Sequence, residues 1–167
     1  VFIVHARKAW LKGLSPKENR EVPPLNYQRV YQLKRDFPVL TILINGGIQS
    51  LAEVQNHLMH TDGVMLGRTA YHEPYRLAEL EHALFGTPLP DRMALIRQMR
   101  EYTERHLAEG GKLNHISRHL LGLFQGLPGA RGWRRHLSEN AHRDNADWGV
   151  VERSLAPIRE PVRVPAA

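Results

Sequence analysis

Three apolar runs in this sequence end in residues that can do chemistry. Val1-Phe2-Ile3-Val4 delivers His5 and Arg7, Ile44 delivers Asn45-Gly46-Gly47, and Leu66 delivers Gly67-Arg68. The two glycine runs lie about one strand-helix-strand unit apart. In a parallel α/β barrel the loops after the last two strands turn backbone N–H groups toward a phosphate, and glycine lets the backbone come close because no Cβ holds it away. Convergent amides beside a guanidinium are what a phosphate requires. Taken alone, Asn-Gly-Gly is also an ordinary turn, and His5 alone could be a satisfied polar residue. The pairing of two glycine strand ends favours the cradle.

A second concentration of chemistry is basic. Between Gly110 and Ser138 there is no acidic residue, but there are Lys112, Arg118, Arg131, Arg134 and Arg135, with His115, His119 and His136. Arg131-Gly132-Trp133-Arg134-Arg135-His136 offers guanidinium groups for phosphates and an aromatic plane that can stack on a base or pack in a core. By composition it is equally a solvated helix face. The stretch from Val1 to Lys17 is also free of acid, and Arg20 follows just beyond Glu18. An excess of 23 Lys and Arg over 17 Asp and Glu gives a net charge of +6, which biases the chain toward a polyanion. His115 and His119 stand at i, i+4 without a third ligand, so no metal site is expected. The absence of cysteine excludes disulfides, thiolate metal sites and a cysteine nucleophile within these residues. No apolar run approaches the roughly 20 residues that span a bilayer. No membrane association and a cytoplasmic location are therefore expected.

The elements that must position these groups follow from periodicity. Val1 to Val4 reads as a buried parallel strand, followed by a polar loop from Lys8 to Pro24 long enough to be functional. Val30, Leu33 and Phe37 give Tyr27 to Phe37 a helical face. Val39 to Ile44 is the second strand, Ser50 with Glu53 is a capping box for a helix to about His60, and Asp62 to Leu66 is the third strand. A short helix follows Arg68, with Pro74 in its first turn. The Gly/Pro run at 85–90 reads as a boundary, after which helices are expected from Asp91 to about Glu109, from Leu113 to Phe124, and from Pro128 or Ala130 to about His142. The expected fold class is α/β: residues 1–84 are expected to be the last strands and helices of a TIM (β/α)8 barrel whose N-terminal part is missing, residues 85–145 a small all-α domain, and residues 146–167 an irregular tail. A barrel begun at a late strand cannot close, so an uncovered sheet edge is expected.

At this point the residues resemble a known family. The run Val4 to Arg20 with Pro23-Pro24-Leu25, the motifs Asn45-Gly46-Gly47-Ile48 and Asp62-Gly63-Val64-Met65-Leu66-Gly67-Arg68, and the stretch Gly122 to His136 are similar to tRNA-dihydrouridine synthases, the A subfamily in particular. The resemblance implies an enzyme that uses FMN and NADPH to reduce D-loop uridines of tRNA to dihydrouridine. It further implies that His5, Asn45, Gly46, Gly47, Gly67 and Arg68 bind the flavin. Lys17 and Arg20, with Arg131 and Arg134 on the helical domain, would bind tRNA. The family's proton-donating cysteine is expected upstream, so no catalytic residue is assigned within this chain. Another phosphate-binding flavin barrel acting on a small metabolite, or a non-catalytic RNA-binding fragment, are the alternative classes.

Overall fold

The computed structural model describes residues 1–10 and 12–159. Strands β1 (Phe2–His5), β2 (Ile42–Asn45) and β3 (Gly63–Met65) form a parallel sheet in that order. The register sets His5 opposite Asn45 and Asn45 opposite Met65, so the carboxyl ends of all three strands stand in one row. Helices α1 (Tyr27–Asp36) and α2 (Leu51–Leu58) lie between them in the chain. Each helix starts where its sequence caps it. The Asn26 side chain accepts from the Arg29 amide at 3.0 Å, and Ser50 with Glu53 closes a reciprocal capping box. Those contacts hold the Glu53 carboxyl below its usual pKa, the Gln49 amide first and Ser50 next.

Ile42 and Ile44 on the central strand are buried to 1% and 0% exposure. The apolar run before them is not part of the strand: β2 begins at Ile42, and Val39 and Leu40 lie exposed in the preceding turn. On β1, Phe2 and Ile3 are more than half exposed, so this strand is not the buried one its composition suggested. It is an edge with a single neighbour.

A buried polar pair ties α1 to α2. Tyr31 Oη and Nδ1 of His57 share a hydrogen bond at 2.6 Å, and His57 is 2% exposed. Burial holds the His57 pKa below its ordinary value, with His60 acting the same way and Glu53 opposing. The folded state therefore binds the proton less readily than the unfolded chain, so the stability from neutral His57 is complete above about pH 6.5 and is lost as pH falls below it. Denaturant midpoints should drop between about pH 7.5 and about pH 5.5, and His57→Gln should flatten that dependence. An equal slope in both proteins would refute the assignment.

By its internal contacts the chain divides into two compact units, Val1–Thr69 and Ala70–Ala167. The division comes earlier than the Gly/Pro run at residues 85–90. That run instead closes a helix, with Gly86 at φ 71° as the left-handed C-cap of α4 (Tyr75–Phe85). Pro74 is not inside a first turn either: α3 (Arg68–His72) ends before it, and Pro74 is the N-cap of α4.

In the second unit α5 (Arg92–Ala108) starts at Asp91, whose carboxylate accepts from the Ala94 amide at 2.7 Å, and it buries Ile96 and Thr103. The expected helix from Leu113 to Phe124 is much shorter. Helix α6 covers Leu113–Ser117, after which successive turns with i→i−3 bonds carry the chain onward: Leu123 to Leu120, Gln125 to Gly122, Leu127 to Phe124. Helix α7 (Ala130–Asn140) buries Ala130, Trp133 and Leu137 on one stripe. The sequence reading of an irregular tail is corrected by α8 (Trp148–Leu155), which Asp147 caps through the Gly149 amide and which buries Trp148, Val150, Val151 and Ser154. Residues beyond it pack too: the Arg159 amide donates to Pro128 O at 3.1 Å. The rest of the expected tail, residues 160–167, lies outside the described residues.

Candidate functional site

The row of strand ends opens onto a cavity of about 470 Å³ in the first unit. His5 and Asn45 stand at its floor, where His5 Nδ1 meets Asn45 Oδ1 at 3.0 Å and Asn45 Nδ2 meets Met65 Sδ. Because the amide oxygen accepts, Nδ1 carries the proton and neutral His5 is left with Nε2 as an acceptor. Gly46 and Gly47 line the wall at φ 129° and 70°, conformations an L side chain avoids. Gly67 and Arg68, from the loop after the neighbouring strand, line the same cavity. The two glycine loops are fastened to each other by Thr69 Oγ1, which donates to Ile48 O at 2.9 Å. Tyr27 Oη donates to Gly46 O at 2.7 Å from the other side.

The long loop before α1 supplies the rest of the wall, and it is internally braced. Trp10 and Asn19 exchange two hydrogen bonds, at 2.8 and 2.9 Å, and Glu18 accepts from the Ser15 amide at 2.8 Å. Ser15, through its side chain first and its amide next, holds the Glu18 carboxyl below its usual pKa. Arg7 anchors the loop rather than facing a ligand: its guanidinium donates to the carbonyls of Glu21, at 3.0 Å, and Pro23. A single 3-10 turn, Glu18–Arg20, then presents Lys17 and Arg20 to the cavity. With Arg68 they make three cations on the wall against one carboxylate, Glu21. Glu21 was not singled out from sequence. It pairs with Arg68 at 3.1 Å across 47 positions of chain, and no local pattern announces such a contact.

The two remaining basic candidates lie in the second unit. Arg131 is exposed on α7 and Arg134 half-buried, with Arg134 Nη1 donating to Gln125 Oε1 at 2.7 Å. Trp133 between them packs edge-on against Phe124, 5.0 Å between ring centroids, and is fully buried. Of the two uses open to that ring, core packing is the one realised. No group of three His, Asp or Glu among the described residues could hold a metal ion. No helix among them is long and apolar enough to cross a membrane.

These features define a parallel α/β protein with a basic, glycine-walled cavity at the carboxyl ends of its strands, the usual place for a ligand in such sheets. The profile of the dihydrouridine synthase (Dus) family matches residues 1–158, and the chain belongs to that family. Among curated proteins it is 60% identical over 159 residues to the tRNA-dihydrouridine(20/20a) synthase of Vibrio cholerae, covering 94% of this chain and 49% of that protein. Identity is 63% over 160 residues to the protein of the same name from Shewanella oneidensis, covering 95% and 48%. For Escherichia coli (strain K12) it is 61% over 162 residues, covering 96% and 47%. The chain spans about half the length of the curated relatives it matches.

Proposed function

We propose that this chain is the C-terminal half of an FMN-dependent tRNA-dihydrouridine synthase, supplying the phosphate end of the flavin site and two tRNA-gripping surfaces. The observation that carries the reading is the convergence of Gly46, Gly47, Gly67 and Arg68 on one cavity with Lys17 and Arg20 on its wall. A TIM barrel is the finer reading of the sheet. It is supported by the family and by the exposed apolar residues Phe2 and Ile3 of edge strand β1, since parallel sheets are buried on both faces and the other half of the relatives' length would supply the cover.

The residues fit a flavin phosphate. An ideal Cβ at Gly67 meets nothing within 4 Å, so the space beside this backbone is open to a ligand oxygen. Gly46 and Gly47 line the same cavity and would offer backbone amides to it, and Arg68 adds the charge. With Nδ1 committed to Asn45, His5 would accept at Nε2 from a ribityl hydroxyl. When bound, FMN supplies the hydride that reduces C5=C6 of a uracil, with NADPH as the reductant that restores it. This chain's part is to hold the cofactor at the strand ends and to hold the RNA backbone through Lys17 and Arg20 in the first unit and Arg131 and Arg134 in the second, while the target base is turned out of its stack. The proton donor is assigned to a cysteine in the half of the relatives not represented here. Cytoplasmic tRNA is the substrate pool in this reading.

A full-length protein carrying this chain should purify yellow and restore dihydrouridine to tRNA from a synthase-deficient strain, read by mass spectrometry of the nucleosides. Colourless protein with unchanged nucleosides would reject the proposal. Salt-insensitive, negligible tRNA binding by a yellow protein would instead favour a barrel acting on a small metabolite.

A further inference from the structure

The second unit sorts its cations into two kinds. Arg76 pairs with Glu73 and Glu79, Arg92 with Glu79, Arg100 with Glu104 and Glu152, and Lys112 with Asp144. Arg118 and Arg134 have no carboxylate partner among the described residues. Arg118 Nε donates to His119 Nε2 at 3.1 Å, and Arg134 donates to Gln125. Both partners are uncharged acceptors that occupy one edge of the guanidinium and leave its charge uncompensated. His119, which the sequence sets beside His115 as a bare i, i+4 pair, thus serves to position Arg118.

These two arginines line the same cleft, of about 360 Å³, together with Tyr71, His72 and Gly122. That volume is in the range of ligand sites, about 300–1,000 Å³. The cleft is built by close backbone packing: a Cβ at Gly122 would collide with the carbonyl oxygen of His72. The turns after α6 therefore sit directly on the segment that carries Tyr71. Tyr71 is 53% exposed and is steadied by an edge contact to His119, 5.6 Å between ring centroids. Glu73, the acidic residue on the rim, is already bound to Arg76. Unpaired guanidinium groups, a half-exposed aromatic ring and a concave floor coincide here. Arg131 and Arg135, also exposed, do not line this cleft.

We propose that this cleft is a one-nucleotide subsite for the tRNA strand, in which Arg118 and Arg134 take a phosphate between them and Tyr71 stacks the attached base. The proposal rests on the tRNA reading above and gives Arg118 and Tyr71 roles which that reading does not. The test is equilibrium binding of an unmodified tRNA transcript to the full-length protein at several salt concentrations. Arg118→Ala should weaken binding about tenfold and make the slope of log K against log salt shallower by about 0.7–0.9, the signature of one phosphate contact. Arg118→Lys should keep the slope. Tyr71→Ala should weaken binding several-fold without changing the slope, and Tyr71→Phe should bind normally. Flavin absorbance and unfolding midpoint should stay unchanged in all four. If the unsubstituted protein binds tRNA and Arg118→Ala shows its slope, the subsite is wrong and the proposed function stands. If the unsubstituted protein does not bind tRNA, both fall.

Discussion

Gly67→Phe is expected to strip FMN from the full-length protein while leaving its fold intact. Gly67 lines the cavity, its φ lies outside the left-handed region, and an added Cβ there would meet no atom within 4 Å. A phenyl group would enter that open space with no backbone cost and occupy the ground of the phosphate. Losing two charge-assisted hydrogen bonds at about 1.5 kcal/mol each is about 3 kcal/mol, or roughly a 100-fold rise in the FMN dissociation constant. The unfolding free energy of the apoprotein should change by less than about 0.5 kcal/mol. Gly46→Ala makes the contrast. Gly46 sits at φ 129°, and its Cβ would stand 2.8 Å from Leu25 Cδ2, so this smaller change should lower both flavin affinity and stability. Flavin retained by Gly67→Phe, or unfolding of that variant as severe as any in Gly46→Ala, would remove the cradle from this cavity.

That contrast also shows which parts of the site were readable before the fold was known. The glycines and Arg68 stand out because each ends an apolar run, and strand-end chemistry is local in sequence. Lys17 and Arg20 are legible only as charge; the bracing that aims them, from Trp10 to Asn19 and from Arg7 to the Glu21 and Pro23 carbonyls, joins residues 9 to 16 positions apart. The Glu21 to Arg68 pair is further still from any local rule. Among the elements, the capping signals read at Ser50 and Asp91 sit where helices begin, while the cap at Asn26 was not singled out. The failures come from tertiary demand. Leu120 and Leu121 continue a helical spacing, yet the chain leaves the helix at Ser117, and Gly122 then packs on the His72 carbonyl. Helix α8 is obscured by the prolines that follow it. Asp147 and the spacing of Val150, Val151 and Leu155 were nonetheless available as its signals.

Trp133→Ala should cost about 3–5 kcal/mol, a large share of the roughly 5–15 kcal/mol that holds a typical domain together. The side chain is fully buried, packs on Phe124, and donates from Nε1 to Leu120 O at 3.3 Å, so truncation leaves a large cavity and removes one of the two bonds that this carbonyl accepts. Its consequence for RNA binding separates framework from contact. Ala130, Trp133 and Leu137 are the inward stripe of α7, and Arg131, Arg134 and Arg135 occupy the remainder of the same turns. Trp133→Ala should therefore lose tRNA affinity together with helical circular dichroism and a lowered denaturant midpoint. Arg134→Ala should lose affinity with both unchanged, and Trp133→Phe should recover most of the stability and the binding, because an aromatic ring still fills the contact with Phe124. Normal tRNA affinity in a Trp133→Ala protein whose second unit has unfolded would mean that the arginines of α7 contribute nothing to holding the RNA.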